Sequence, residues 1–391
     1  MPDAASLPVG LAFLLSPGQH RREGVLLMLN GIRVVEIEGL GPGPFAAMLL
    51  ADLGADVVTI HRKGGAVTPG MPDRSVLDRG KRSIALDLKD PDDLETARRL
   101  IATADALIEG FRPGVMEKLG LGPEACHALN PALVYGRMTG WGQDSPLADT
   151  AGHDLNYIAL SGALWYGSPP GTEPMTAATL VGDIGGGAMY LVTGILAGLL
   201  NARATGTGTV VDAAIYDGSA HMMNLLMSLR QTGNLSDTRG QSLLDGPHWS
   251  RTYACADGGF VSVQCLEPKF YAQFLEILGL SQDPAFQQQY DSTLWPDLTL
   301  RLAEIFATKP RDHWAKLFEG SDACVAPVLS PDEAATHPMN TVRQTWRETD
   351  GTLQAAAAPR FSTHQWQPRP SPARGQHTTE ILTELLALKK T

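Results

Sequence analysis

Four cysteines in 391 residues, Cys126, Cys255, Cys265 and Cys324, form no Cys-x-x-Cys pair and have no histidine at zinc-finger spacing. A disulfide-stapled fold and a structural metal are therefore not expected, and the thiols read as small buried apolar groups in a reducing, cytoplasmic compartment. Positive charge is scarce: 31 Lys+Arg stand against 42 Asp+Glu, a formal charge of −11. That balance argues against a nucleic-acid partner and leaves room for a local basic pocket. The longest apolar run, Ala188–Leu200, is interrupted by Thr193 and two glycines and falls short of the roughly 20 residues a bilayer needs, so no membrane span is expected. Leu7–Leu15 is apolar, but no Lys or Arg precedes it and no small-residue cleavage site follows. It does not read as a signal peptide. With 41 Gly and 27 Pro the chain also lacks the bias of low-complexity disorder. No internal repeat is found, and the length predicts two or three domains.

What is present starts at Gly31. Ile32–Ile37 is β-rich, Gly39–Pro44 is a turn, Phe45–Leu53 has helical apolar spacing closed by Gly54, and Asp56–Ile60 is a second strand. A strand, helix and strand joined this closely predict a right-handed βαβ unit. The pattern continues with strands at Ser83–Leu88, Ala106–Glu109 and Leu133–Met138, a helix capped by Asp90 with Pro91 behind it, and a short helix near Pro123–Leu129. A long apolar helix is expected to begin near Asp183, followed by a strand at Thr209–Ala213. Residues 252–265 predict a β-hairpin turning at Asp257-Gly258-Gly259. The fold class expected is α/β: a Rossmann-like large domain with an open, mostly parallel sheet, plus a smaller α+β domain. The boundaries are 1–28 for a loose extension, 29–213 for the large domain, 214–248 for linker helices, 249–335 for the small domain and 336–391 for a Pro-rich linker and a terminal amphipathic helix at Thr378–Leu388.

The glycine turn follows a strand and precedes a helix, the setting in which such loops bind ligands. It does not complete G-x-G-x-x-G, because Pro44 takes the last place, and His61-Arg62-Lys63 stands where a ribose-binding acid belongs. An NAD enzyme is disfavoured; a simple tight turn and a phosphorylated nucleotide site both remain open. Arg62, Lys89 and Arg112 follow successive strands, with Lys118 nearby, so they form either a solvated rim or one crevice for a polyanion. His153 can exchange a proton near neutral pH. Asp183 heads the long helix, where a capping role competes with a chemical one. Gly185–Gly187 behind it weaken a helix by roughly 1 kcal/mol each, which points to close backbone approach. If a carbonyl oxygen docked on those amides, the helix would stabilise an enolate there, and His153 and Asp183 are candidates for the acid and base on either side of the α-carbon.

Taken together, Gly31–Arg62, Glu109–Gly114, Met138–Gly142, Ala151–Asp154, Leu180–Asp183 and Leu244–Gly246 strongly resemble the α-methylacyl-CoA racemases of the family III CoA-transferase superfamily. The resemblance runs from about Gly31 to Phe361. It implies an interlocked homodimer acting on an acyl-CoA thioester by 1,1-proton transfer at C2 of a 2-methylacyl group. No cofactor is implied, CoA being part of the substrate. His153 and Asp183 would be the opposed pair, and Glu267, from the partner chain, would hydrogen-bond the imidazole; by the residues alone, Glu267 also fits a helix N-terminal acid before Pro268. Asp154 would shape the substrate site. Arg62, Leu88, Lys89, Gly110, Phe111, Arg112 and Lys118 would bind CoA, with Tyr157 near the thioester arm. The chain departs from the family pattern at Lys118 and Phe111, where Arg and Tyr are frequent, and at Thr179, where the pattern carries Asn. His221–Met227 could line an acyl site or fill the core. The rival reading is a CoA-transferase in which Asp183 attacks the thioester.

Overall fold

Strands rich in Val and Ile alternate with helices to build a six-stranded, all-parallel sheet in the computed structural model, which describes residues 27–64, 74–363 and 366–388. The sheet elements are β1 (Arg33–Ile37), α1 (Pro42–Asp52), β2 (Asp56–Arg62), β3 (Arg82–Leu86), α2 (Pro91–Ala102), β4 (Ala106–Glu109), α3 (Val115–Lys118), α4 (Pro123–Leu129), β5 (Val134–Thr139) and α5 (Asp154–Leu160). After them come a π-helical segment at Leu180–Ala188, α6 (Met189–Thr205), β6 (Thr209–Ala214), α7 (Ile215–Met222) and α8 (Asn224–Arg230). Strand order is β3-β2-β1-β4-β5-β6, the Rossmann-like arrangement expected, whose order reverses beside β1 and opens a crevice at the carboxyl ends of β1 and β4.

Both sheet faces are covered, so the central strands are mostly apolar. One core joins Val34, Val57, Ile108 and Val134 to Ala46 and Leu50 of α1 and Leu191 and Ile195 of α6. The other joins Val35, Val58, Ile84 and Tyr135 to Leu100 and Ile101 of α2. α2 starts as its sequence predicts: the Asp90 carboxylate accepts from the amides of Asp92 and Asp93, and Pro91 fills the first position.

A second, antiparallel sheet contains β7 (Ser250–Ala254), β8 (Phe260–Gln264) and β9 (Val325–Val328), packed on α9 (Pro268–Leu278), α10 (Trp295–Phe306) and α11 (Arg311–Phe318). Trp249, Phe274, Phe286 and Phe306 fill its core. Then follow α12 (Pro331–Thr336), α13 (Pro338–Arg343), the hairpin β10 (Trp346–Thr349) and β11 (Thr352–Ala355), and α14 (Thr378–Ala387). Ile381 and Leu385 of α14 return to the second core of the parallel sheet. Most of the expected extension, residues 1–26, lies outside the described residues.

Two expectations need correction. Three cysteines are buried as anticipated, but Cys324 is exposed. The long apolar helix begins near Asp183 as expected, but Asp183 does not cap it: its first turns are π-helical from Leu180, and Thr179 is the cap. The continuous helix Leu180–Thr205 is, by length and composition, apolar enough to cross a bilayer. Here Leu191, Ile195, Gly198 and Leu199 of α6 are buried, and Leu191, Ile195 and Leu199 belong to the sheet core.

Candidate active site

His153 and Asp154 sit at the start of α5 on opposite sides of the chain. His153 is the N-cap, with an extended backbone; its amide donates to Asn156 Oδ1 at 3.0 Å, and its ring is on the exposed side. Asp154, the first helical residue, points inward and is 8% exposed. Its Oδ1 accepts from the backbone amide of Asp183 at 2.8 Å. The bond ties α5 to the π-helical segment, so the structure places Asp154 as a support for Asp183 rather than against the neighbouring imidazole.

The π-helical segment is a product of its glycines. A Cβ at Gly186 would lie 2.3 Å from Ser219 Oγ and 2.8 Å from its backbone nitrogen, and one at Gly218 would lie 1.9 Å from the Gly186 carbonyl. A Cβ at Gly182 would lie 2.4 Å from Asp154 Oδ1. The close approach inferred from the glycine run is therefore made by α7 and α5 of the same chain, and no ligand is needed to explain it. With the Asp183 amide engaged by Asp154, that amide is not free to receive an enolate oxygen, which narrows the expected role of the helix amides. The wider π turn sets Asp183 as its fourth residue, with the Ile184 amide bonded back five residues to the Thr179 carbonyl at 3.1 Å.

The Asp183 carboxyl is half-buried. Burial pushes its pKa above the ordinary carboxylate value, and the nearby Asp154 charge adds to this; a hydrogen bond from Thr179 and the proximity of His153 pull it back down. The Thr179 hydroxyl donates to Asp183 Oδ2 at 2.8 Å. The His153 charge thus reaches the Asp183 carboxyl. A Cβ on Gly41 would come within 3.6 Å of the same Oδ2, so the turn after β1 faces this carboxylate at the strand-order switch point.

Arg62 ends β2, Lys89 follows β3, and Gly110, Phe111 and Arg112 follow β4. These positions share the carboxyl edge of the parallel sheet. Arg62, Lys89, Arg112 and Lys118 are exposed, and among the described residues none of the four enters an ion pair with a carboxylate, whereas most of the other lysines and arginines of this domain do. Leu88 and Phe111 pack half-buried on the sheet core below them. Tyr157 of α5 connects this edge with Asp183. Burial and then the Asp183 charge raise its phenol pKa, Arg112 opposes the rise, and its hydroxyl donates to the Gly152 carbonyl. Its ring fills the space left by Gly140 and Gly152 and meets Trp141 edge-on at 4.7 Å.

Glu267 is elsewhere. It is the N-cap of α9 in the second lobe, exposed, and its charge acts on Cys324 and Tyr290. Among the described residues no hydrogen bond or ion pair joins it to His153 or Asp183.

Sequence reasoning missed the supports under the site. Buried Glu109 accepts from the Phe111 amide at 2.7 Å and pairs with Arg137 at 3.0 Å, and Arg137 also reaches Glu117 at 2.9 Å. This triad holds the loop that carries Gly110–Arg112. Lys81 is buried: it pairs with Glu36 at 2.7 Å and donates to the Pro44 carbonyl at 3.1 Å, bracing the glycine turn. The available signal was a charge inside an apolar strand, as Glu36 is in Val34–Ile37; such a group is buried only with a partner. Among the described residues no cluster of three His, Cys, Asp or Glu side chains is placed to hold a metal.

A half-buried carboxylate at a Rossmann-like switch point, with cations along the same sheet edge that form no ion pair among the described residues, fits the family that the comparisons give: the chain belongs to CoA-transferase family III, whose model matches residues 29–378. Among its relatives are alpha-methylacyl-CoA racemases from Mus musculus, 41% identical over 92% of this chain and 93% of that one, and from Homo sapiens, 40% identical with the same coverage. An acetyl-CoA:oxalate CoA-transferase from Acetobacter aceti is 30% identical over 83% of this chain and 86% of its own. Among solved structures, a CAIB/BAIF family protein from Brucella suis superposes with a TM-score of 0.77 at 26% identity, over 91% of this chain and 98% of that one.

Proposed function

We propose that this protein is an isomerase that inverts C2 of 2-methylacyl-CoA thioesters by 1,1-proton transfer. The observation that carries this reading is the 40–41% identity to alpha-methylacyl-CoA racemases over 92% of the chain, and the His153 charge acting on the half-buried Asp183 carboxyl supports it. One of the pair, unprotonated, removes the C2 proton, leaving an enolate with its charge on the thioester oxygen. The other, protonated, returns a proton to the opposite face, so the pair exchanges protonation states and nothing is oxidised or reduced. Asp154 fixes the Asp183 backbone; no resident cofactor is required. Arg62, Lys89, Arg112 and Lys118 bind the phosphates and nucleotide of CoA over Leu88, Gly110 and Phe111, and Tyr157 borders the thioester arm.

Glu267 enters this scheme from a second copy of the chain, as a hydrogen-bond partner that orients the His153 imidazole. Its position in the second lobe, without a bond to His153 in its own chain, supports this. So does α8, which buries none of its residues although it carries Leu225, Leu226, Met227 and Leu229; Leu225 is 72% exposed, the mark of a surface awaiting a partner. A cytoplasmic setting agrees with four free thiols.

Proton transfer is favoured over acyl transfer to Asp183 by His153, for which a nucleophilic carboxylate has no need, and by the higher identity to the racemases than to the transferase. Incubating one enantiomer of a 2-methylacyl-CoA in D2O tests the choice. Deuterium at C2 with loss of optical purity supports inversion; CoA exchange onto a free acid without C2 label overturns it.

A further inference from the structure

Thr179 occupies a conformation that its side chain disfavours. Its φ of +64° lies in the left-handed region, which β-branched residues rarely adopt. The strain sits at the head of the π-helical segment, where the Thr179 carbonyl accepts the first five-residue bond, from Ile184. Glycine or asparagine would take this backbone more easily. The side chain is exposed, so packing does not demand threonine either. What it does supply is its hydroxyl, 2.8 Å from Asp183 Oδ2. Asp183 Oδ1 accepts no hydrogen bond among the described residues.

We propose that Thr179 is a positioning residue for the Asp183 carboxylate: its hydroxyl holds Oδ2, fixes the rotation of the carboxyl group and leaves Oδ1 as the oxygen that faces the substrate carbon. The inference rests on the acid–base reading of Asp183 and adds the residue that sets its orientation and favours its ionised form. Left-handed strain is retained at functional positions where a side-chain contact repays it. The electrostatic setting gives the hydroxyl something to counteract. The titratable groups on the elements packed against the segment are His153, Asp154 and Tyr157 of α5, Tyr216, Asp217 and His221 of α7, Asp52 at the far end of α1, Tyr190 and Arg203 of α6, Tyr135 and Arg137 of β5 and Asp212 of β6. Of these, Asp154 and His153 act on Asp183, the first against its ionisation and the second for it. Among the described residues, Thr179 is the one neutral donor that reaches the carboxylate.

Thr179→Gly removes the donor and the backbone strain together, so the variant folds at least as well as the parent. The expected result is a melting temperature at or above that of the wild type, a roughly tenfold fall in kcat for C2 inversion, as for loss of one hydrogen bond to a charged group, and little change in KM. The acid limb of the pH profile moves to higher pH for the enantiomer whose proton Asp183 removes, because loss of a donor to a carboxylate raises its pKa. Thr179→Ser, which keeps the hydroxyl, restores both kcat and the limb. Wild-type kcat with an unmoved limb in Thr179→Gly, or a Thr179→Ser variant as impaired as Thr179→Gly, overturns the proposal. Asp183→Asn in the same assay separates the two levels. If it still inverts C2, the acid–base reading itself fails; if it is inactive while Thr179→Gly behaves as wild type, only the role of Thr179 fails.

Discussion

Replacing Asp154 by alanine removes the acceptor of the Asp183 amide while leaving every group proposed to touch the substrate in place. The bond is 2.8 Å long and its carboxylate is 8% exposed, so the orphaned amide is poorly placed to find water. A hydrogen bond to a charged partner contributes about 1.5–3 kcal/mol, and a buried donor left alone costs a similar amount. The neighbourhood cannot close over the gap from the Gly182 side, since that residue has no side chain to offer. Asp154→Ala should therefore lose about 1.5–3 kcal/mol of stability, seen as a melting point lowered by several degrees, and should lose inversion because the Asp183 segment is no longer anchored. Asp154→Asn keeps the shape and the accepting oxygen but removes the charge that opposes ionisation of Asp183. It should retain stability and C2 deuteration, with the acid limb of the rate profile displaced to lower pH. Thermal melts and D2O exchange over a pH series read both variants. An Asp154→Asn protein as inactive as Asp183→Asn would show that Asp154 itself carries protons, and an Asp154→Ala protein with an unaltered melting point would show that the bond anchors nothing.

Asp183→Asn should trade function for stability. Because burial raises the Asp183 pKa, the folded chain holds that proton more tightly than the unfolded one. The resulting stability is complete below the ordinary value of 3.8 and is lost as pH rises through the raised folded value. A neutral Asn escapes the loss, so the variant should melt higher than the parent at pH 7 and converge with it as pH falls toward 3.8; a lower melting point at pH 7 would contradict the argument. Gly186→Ala should destabilise by about 1–3 kcal/mol in urea, because the new Cβ meets the backbone nitrogen of Ser219 at 2.8 Å as well as its hydroxyl. Adding Ser219→Ala should recover only part of the loss, and full recovery would mean that backbone contact is not what requires glycine there.

The parallel sheet was legible because its signals are local. Val34-Val35 and Val57-Val58, the capping pair Asp90-Pro91 and the helix Pro123–Leu129 each declare an element within a few residues. The edge that gathers Arg62, Lys89 and Arg112 followed from those strands, since the carboxyl ends of parallel strands share one side. The π-helical segment was not legible. Its geometry is imposed by α7 and α5, whose contacts at Gly186 and Gly182 join positions far apart in sequence, and the glycine run alone could not say whether a ligand or a helix comes close. The hydrogen bond of Asp154 was not legible for a related reason. Adjacency to His153 in sequence suggests a shared site, but the first helical turn sends the two side chains in different directions, and the partner of Asp154 is 29 residues away.

The most direct test of the central claim is C2 exchange in D2O with the His153→Ala and Asp183→Asn proteins alongside the parent, starting from each enantiomer of a 2-methylacyl-CoA. If the two side chains act from opposite faces, the parent labels C2 and racemises the substrate, and neither variant inverts it. A variant lacking either group that still converts one enantiomer into the other at the parent's rate would contradict the account.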